Sequence, residues 1–232
     1  RRAQGAWGAA TGYLRGQILY RMAEMLEGRA EDFATLLRST RKTTAAAART
    51  EVRASIDRIV HYAGWADKYQ ALLSTVNPVA SPYFNFSAPE PTGVVGVVVP
   101  ETPELLGLVS HVLPAIVAGN TAVVLLSEPH PLPGLELAEV LATSDLPGGV
   151  VNFLSGHRDE LVPQLARHMD INALTLAGLP DALTVAAAED AAVNVKRTKR
   201  YPVLDYAGDA TQGLDWIRPT VEIKTTWHPI GW

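Results

Sequence analysis

The chain of 232 residues contains no cysteine. Cysteine provides the thiol nucleophile, the disulfide partner and the soft metal ligand of proteins, so its absence excludes disulfide bonds, zinc-thiolate sites and catalysis by a thiol of this chain. The six histidines show no His-x-x-x-His spacing, and the sequence thus has no motif for a metal site. We therefore expect neither a catalytic residue nor a metal ligand in this sequence.

Long apolar segments are also missing. No stretch of eighteen or more uninterrupted apolar residues occurs, and the start, Arg1 to Gln4, lacks the apolar core of a secretory signal. These absences predict a cytoplasmic protein that does not enter a membrane. The chain also begins without methionine, which suggests a trimmed or incomplete chain and leaves room for further segments.

The sequence has no large excess of charge of either sign. Its 20 basic and 24 acidic residues give a formal net charge of −4, which provides no field to attract nucleic acid or an anionic membrane. One dense basic run, Lys196 to Arg200, is interpreted as a solvated connection between a helix and a strand. We expect no nucleic-acid partner.

The apolar content is sufficient for one main packed domain, since 47% of the residues are hydrophobic and 19% are charged. In residues 1–77 the apolar side chains recur at helical spacing. The pattern predicts two helices within 12–37, broken near Gly28, and one long helix over 45–73. The first third of the chain is therefore predicted to be a layer of helices.

Proline punctuates the next segment, residues 78–90. Its aromatic core, Tyr83 to Phe86, has the composition of a β-strand, but the flanking prolines cannot donate to the hydrogen-bond ladder of a central strand. We interpret this segment as an edge strand or a strand that bridges to another part of the structure.

Residues 91–212 change to short β-branched runs that alternate with helical stretches, the pattern of a parallel sheet with helices on both faces. The five candidate strands are 94–99, 121–126, 150–154, 171–176 and 202–206. The predicted fold is α/β: a doubly wound, Rossmann-like parallel sheet of about five strands, with an N-terminal helical layer and a bridging β-hairpin.

Several segments, read in order, resemble the aldehyde dehydrogenase family. Residues 15–27 are similar to the family's first long helix, 51–63 to its second and 91–100 to its first dinucleotide-fold strand. Residues 113–124 and 146–156 resemble the turns into the next two strands. The resemblance implies a cofactor-binding half that uses NAD or NADP, with a separate catalytic domain that carries the nucleophilic cysteine.

The positions that carry chemistry in that family depart from its pattern. The Pro-Trp-Asn turn, whose asparagine stabilises an oxyanion, reads Pro100-Glu101-Thr102. Of the Lys-Pro-Ser-Glu that holds the ribose, only Ser127 and Glu128 remain. Gly156 matches the first glycine beneath the cofactor phosphates, but Leu161 stands in place of the second. Ser127, Glu128 and Gly156 are the candidate cofactor residues; we expect no bound cofactor, with NAD(P) as the alternative.

The segment that supplies the family's general base reads Asp205 to Gly208, and we interpret Asp205 as a turn carboxylate rather than a base. Where the family inserts its catalytic domain, only residues 209–212 follow. Residues 213–232 then resemble the family's C-terminal run, which implies a tail strand that joins the bridging strand of 78–90. By resemblance, both strands would lie against a neighbouring subunit.

Three functions are compatible with this sequence. The first is a non-catalytic, aldehyde-dehydrogenase-like subunit with a structural role, paired through its bridging strands with a complete aldehyde dehydrogenase or with a further copy of itself. The second is a partial chain of an active NAD(P)-dependent aldehyde dehydrogenase. The third is a nucleotide-binding regulatory module.

Overall fold

The computed structural model describes residues 1–230, so Gly231 and Trp232, at the end of the predicted tail, lie outside the described residues. The helices are α1 Gln4–Ala9, α2 Gly12–Gly28, α3 Ala30–Arg41, α4 Ala45–Ala63, α5 Tyr69–Leu73, α6 Glu104–Val117, α7 Leu132–Thr143, α8 Arg158–Arg167, α9 Asp181–Ala192 and α10 Leu214–Ile217. The strands are β1 Thr75–Asn77, β2 Tyr83–Pro91, β3 Val94–Val98, β4 Thr121–Leu125, β5 Val151–Leu154, β6 Ala173–Ala177, β7 Arg197–Tyr201 and β8 Val221–Pro229.

The predicted fold class is confirmed. Five parallel strands form a sheet in the order β5-β4-β3-β6-β7. The central strands β3 and β6 are buried along their whole length because helices cover both faces of the sheet. One apolar cluster joins α6 and α7 to the N-terminal helices, and a second cluster lies under α8 and α9 on the opposite face. The sheet is therefore doubly wound.

The predicted position of the fifth strand is wrong. The strand is Arg197–Tyr201, not 202–206, and it pairs with β6 from Ala173 opposite Arg197 to Ala177 opposite Tyr201. The basic run interpreted as a solvated connection is thus mostly strand. An edge strand tolerates charged residues because its side chains reach water, and Pro202 cannot donate to a further ladder.

The long helix predicted over 45–73 is two helices. Helix α4 ends at Ala63, and α5 begins only at Tyr69. Gly64, which has low helix propensity, follows the end of α4. The turn after it packs closely against the start of α2, where a Cβ on Gly12 would lie 2.4 Å from the carbonyl oxygen of Ala66.

The second sheet, which we name the bridging sheet, consists of β1, β2 and β8 in antiparallel pairing. The bridging strand predicted at 78–90 is Tyr83–Pro91, and it lies in the middle of this sheet. The prolines fit there because β1 pairs only with residues 85–87, so Pro89 and Pro91 face no β1 ladder. The C-terminal strand β8 pairs with β2 along its whole length.

Asn120 joins three parts of the chain at the end of α6. Its side-chain oxygen accepts the N–H of Gly93 at 2.8 Å, before β3, and its amide donates to the carbonyls of Ala115 at 3.0 Å and Thr220 at 2.8 Å. Gly119, which follows the end of the helix, has a φ of 91°, in the left-handed region that favours glycine. The tail that leads into β8 is therefore fastened to the body of the sheet.

A buried arginine of α4 holds the segment that follows β7. Arg58 is 5% exposed; its Nη1 donates to Ser110 Oγ at 2.6 Å and to the carbonyl of Thr211 at 2.5 Å. Its Nη2 donates to the carbonyl of Tyr206 at 2.8 Å and lies 3.2 Å from Thr211 Oγ1. We name these four residues the Arg58 clamp, and they tie the helical layer and α6 to residues 206–211.

A buried ring cluster adjoins the clamp. Tyr201 and Trp216 stack with ring centroids 4.3 Å apart, and the ring of His111 lies 4.8 Å and 5.0 Å from them. His111 Nε2 is 2.8 Å from the hydroxyl of Tyr206. Burial, with a smaller effect of Arg58, lowers the pKa of His111 from 6.5 to about 3, so this ring is neutral in the folded protein.

Replacing Arg58 with methionine should strongly destabilise the protein. The substitution keeps apolar volume but removes the Arg58 donor from the buried carbonyl of Thr211 and leaves that of Tyr206 with only the Thr211 hydroxyl, at 3.0 Å. This loss costs about 3 kcal/mol. Urea unfolding followed by circular dichroism measures the loss. Arg53→Met, on the exposed face of the same helix, is the matched control and should change stability by less than about 0.5 kcal/mol. Equal stabilities of the two variants would contradict the clamp.

Acid should unfold the protein partly through His111. The unfolded state binds a proton near pH 6.5 and the folded state only near pH 3, so stability is lost as the pH falls below 6.5. Between pH 7 and pH 5 this group removes about 2 kcal/mol. His111→Gln, which does not titrate, should lose that much less stability than wild type over the same interval in urea titrations. Identical pH dependence in the two proteins would rule out the assignment.

Candidate functional site

The candidate site lies at the carboxyl ends of the parallel strands. The chain moves outward in one direction from β3 through β4 to β5, and in the other from β6 to β7. Ligands of open α/β sheets bind beside such a reversal, outside the carboxyl ends of the strands. The predicted residues Ser127, Glu128 and Gly156 follow β4 and β5 at this edge. The structure therefore brings them together with the segment after β3.

Ser127 is buried and engaged by Glu101. Its Oγ lies 2.8 Å from Glu101 Oε2 and 3.0 Å from the carbonyl oxygen of Glu101, and it accepts the N–H of His130 at 3.3 Å. A serine hydroxyl has a single proton to donate. That proton is therefore directed to Glu101, the residue that stands in place of the tryptophan of the family's Pro-Trp-Asn turn.

Both carboxylate oxygens of Glu128 are bound to the start of α8. Oε1 lies 2.8 Å from His157 Nδ1, and Oε2 accepts the backbone N–H of Arg158 at 2.8 Å. The hydrogen bond with His157 and the one from the Arg158 amide lower the pKa of Glu128, and Glu128 raises the pKa of His157. A carboxylate at the positive end of a helix dipole is stabilised there. Glu128 thus acts as a helix cap from a neighbouring loop.

Arg158, the first residue of α8, connects Glu101 and Glu128 to the end of β3. Its side chain is buried; Nη2 donates to the carbonyl of Val99 at 2.5 Å, and Nε lies 2.7 Å from Glu101 Oε1 in an ion pair that lacks the alignment of a hydrogen bond. Glu101 Oε2 also accepts the N–H of Glu128 at 2.9 Å. We name Glu101, Ser127, Glu128, His157 and Arg158 the strand-end cluster.

Leu161 lies against Gly156. A Cβ placed on Gly156 would meet Leu161 Cδ1 at 2.8 Å. The leucine that replaces the family's second glycine therefore fills the space in front of the first one. The same leucine lines an apolar cavity of about 280 Å³ between α8 and the sheet, together with Val94, Val123 and Leu165. Ser127, Glu128 and Gly156 do not line this cavity.

Asp205 lies apart, in the turn after β7. Its Oδ1 accepts the N–H of Ala207 at 3.0 Å and its side chain is exposed, as expected for a turn carboxylate.

Within residues 1–230, no group of three histidine, aspartate or glutamate side chains is arranged to hold a metal ion. Nor does any described helix have the length and apolarity needed to cross a membrane.

Sequence reasoning missed the basic half of the strand-end cluster. His157 and Arg158 follow Gly156 directly, yet the comparison with the family's glycine motif drew attention only to the glycine. The available signal was charge complementarity, since two strand ends carry the acids Glu101 and Glu128 while the third carries two bases. Parallel strands place those ends side by side.

Comparisons with known proteins agree with this geometry. The sequence profile described as "Aldehyde dehydrogenase family" matches residues 1–200. An aldehyde dehydrogenase from Aspergillus niger is 31% identical over 75% of this chain and 35% of its own length. The cytosolic 10-formyltetrahydrofolate dehydrogenase of Xenopus tropicalis is 33% identical over 75% of this chain and 20% of its own.

Among solved structures, PnpE from Pseudomonas sp. WBC-3 is similar with a TM-score of 0.81 and 30% identity, over 86% of this chain and 40% of that one. PnpE has also been solved in complex with nicotinamide adenine dinucleotide. The chain spans about a third or less of the length of the Aspergillus niger and Xenopus tropicalis relatives. With the profile covering most of its residues, the chain belongs to the aldehyde dehydrogenase family.

Proposed function

We propose that this chain forms the dinucleotide-fold portion of an aldehyde dehydrogenase, an oxidoreductase whose catalytic cysteine lies outside residues 1–232. One observation carries the proposal: a chain without cysteine matches about 35% of an aldehyde dehydrogenase, and the match is to the cofactor-type fold. Acyl transfer through a thioester requires a thiolate. Within this proposal, catalysis depends on a domain that these residues do not contain.

This proposal is the second of the three functions compatible with the sequence. The first, a non-catalytic subunit, has less support, because the relatives at 30% identity or more are named as dehydrogenases. It remains the second candidate because of one observation: the Arg58 clamp binds the buried residues Tyr206 and Thr211, and the chain passes through the short connection 209–212, where the family inserts its catalytic domain. In that case the thiol would belong to another polypeptide.

The native protein that contains these residues should be isolated from its source with an antibody raised against them. We expect an intact mass well above 24.9 kDa and aldehyde-dependent formation of NADH or NADPH in the preparation. A species of 24.9 kDa that carries a separate dehydrogenase with it would favour the second candidate. A species of that mass with neither partner nor activity would contradict both.

We also propose that the bridging sheet contacts another aldehyde dehydrogenase copy. The sheet presents Phe84 and Trp227 with exposures of 45% and 56%, and its outer strands leave ladder edges open. Exposed aromatic side chains beside an open strand edge are typical of an interface. The family to which the chain belongs supports this assignment.

Phe84→Asp should weaken the association. The substitution places a charge on the exposed apolar face of β2, and loss of a central aromatic contact reduces affinity about tenfold or more. Light scattering after gel filtration, over a concentration series, measures the change. Tyr13→Asp, at an exposed aromatic of α2, is the control and should assemble like wild type. Equal assembly of both variants would show that the contact lies elsewhere.

A further inference from the structure

We infer that the strand-end cluster closes the dinucleotide edge of this chain, so that its own residues do not hold NAD or NADP. The family implies such a cofactor, and its relative PnpE has been solved with nicotinamide adenine dinucleotide. The residues present do not fit that group, for three independent reasons: the anion position, the donors and the space are each taken by the protein itself.

The anion position is the N-terminus of α8. A pyrophosphate in a dinucleotide fold binds to the free N–H groups at such a helix start. Here Glu128 already supplies the negative charge, because its Oε2 accepts the Arg158 N–H at 2.8 Å and its Oε1 binds His157. A phosphate entering this position would face a carboxylate that is stabilised in its charged form. The result is repulsion instead of binding.

The donors that would grip a ribose or a phosphate are directed inward. Arg158 is the buried cation of this edge, and its guanidinium is held by Glu101 and the carbonyl of Val99. The hydroxyl of Ser127 donates to Glu101 as well. Glu101 therefore neutralises the cation and engages one of the two ribose-type residues that survive from the family's pattern, while α8 engages the other, Glu128.

The space is taken by Leu161. Close approach of phosphates to the backbone needs room in front of Gly156, and Leu161 Cδ1 lies within 2.8 Å of where a Cβ on that glycine would stand. A pyrophosphate would need to displace this side chain from its contact with the apolar cavity of α8. Leu161 thus blocks the segment before α8 sterically at Gly156, and Glu128 blocks it electrostatically at His157 and Arg158.

This inference goes beyond the proposed function and does not depend on it. If both hold, the cofactor of the assembled dehydrogenase is bound by another copy of the fold. If NAD binds here, the inference fails while the proposed function remains standing, because the mass and activity of the native protein are measured separately.

Calorimetric titration of the purified 232-residue chain with NAD and with NADP tests the closure. We expect no saturable heat with either compound up to about 1 mM, the concentration that corresponds to a weak complex. A dissociation constant below that value for either dinucleotide would overturn the inference. Circular dichroism on the same sample establishes that the chain is folded.

A second experiment tests whether Glu128 and Leu161 are the residues that prevent dinucleotide binding. The double variant Glu128→Ala with Leu161→Ala removes the carboxylate and the covering side chain, and we expect it to bind NAD at least about tenfold more tightly than the control. Glu160→Ala is that control, since it removes an equal charge from the exposed first turn of the same helix. If the double variant unfolds at a much lower temperature than wild type, Glu128→Gln alone provides the comparison. Binding no tighter than that of the control would overturn the assignment to these residues.

Discussion

The structure depends on burying one guanidinium. Arg58 stands in the apolar stripe of α4, and a charge in such a place is tolerated only where its donors are satisfied. It satisfies them with the side chain of Ser110 on α6, with both oxygens of Thr211 and with the carbonyl of Tyr206. These bonds anchor two residues of the connection after β7, Tyr206 and Thr211, in the core. The rings of His111, Tyr206 and Trp216 pack together beside them.

That closure positions the remaining parts. Once the chain after β7 is held, the tail passes Asn120, which binds the carbonyl of Thr220, and runs out as β8 along β2. The parallel sheet, the helical layer and the bridging sheet are thus linked by a few buried polar side chains. At the carboxyl ends of the parallel strands, the polar side chains of the strand-end cluster bind one another: Glu128 caps α8 and Glu101 pairs with Arg158. Polar groups that are usually free to bind a ligand at this edge are here bonded to one another.

Periodicity and composition predicted the fold well, because short apolar runs buried on both faces leave a strong signal in β3, β4 and β6. They failed at β7, whose exposed residues Arg197 to Arg200 carry no apolar pattern, and at the end of α4, where a tertiary contact with α2 decides. The burial of Arg58 could not be predicted for a related reason: the role of a charged residue on an apolar helix face is understood only when its partners, distant in sequence, are known. Likewise Ser127, Glu128 and Gly156 were found by resemblance, whereas their engagement by Glu101 and His157 needed the three strand ends to be placed side by side.

The central claim is the proposal that the chemistry of the family needs a thiol from outside these residues, which contain no cysteine and have an internally satisfied strand-end edge. The most direct test is the absorbance at 340 nm of the purified 232-residue chain incubated with NAD or NADP and a panel of short aliphatic and aromatic aldehydes. The account predicts a rate equal to that of the blank without protein. Aldehyde-dependent formation of NADH or NADPH above the blank, proportional to the concentration of the chain, would contradict it.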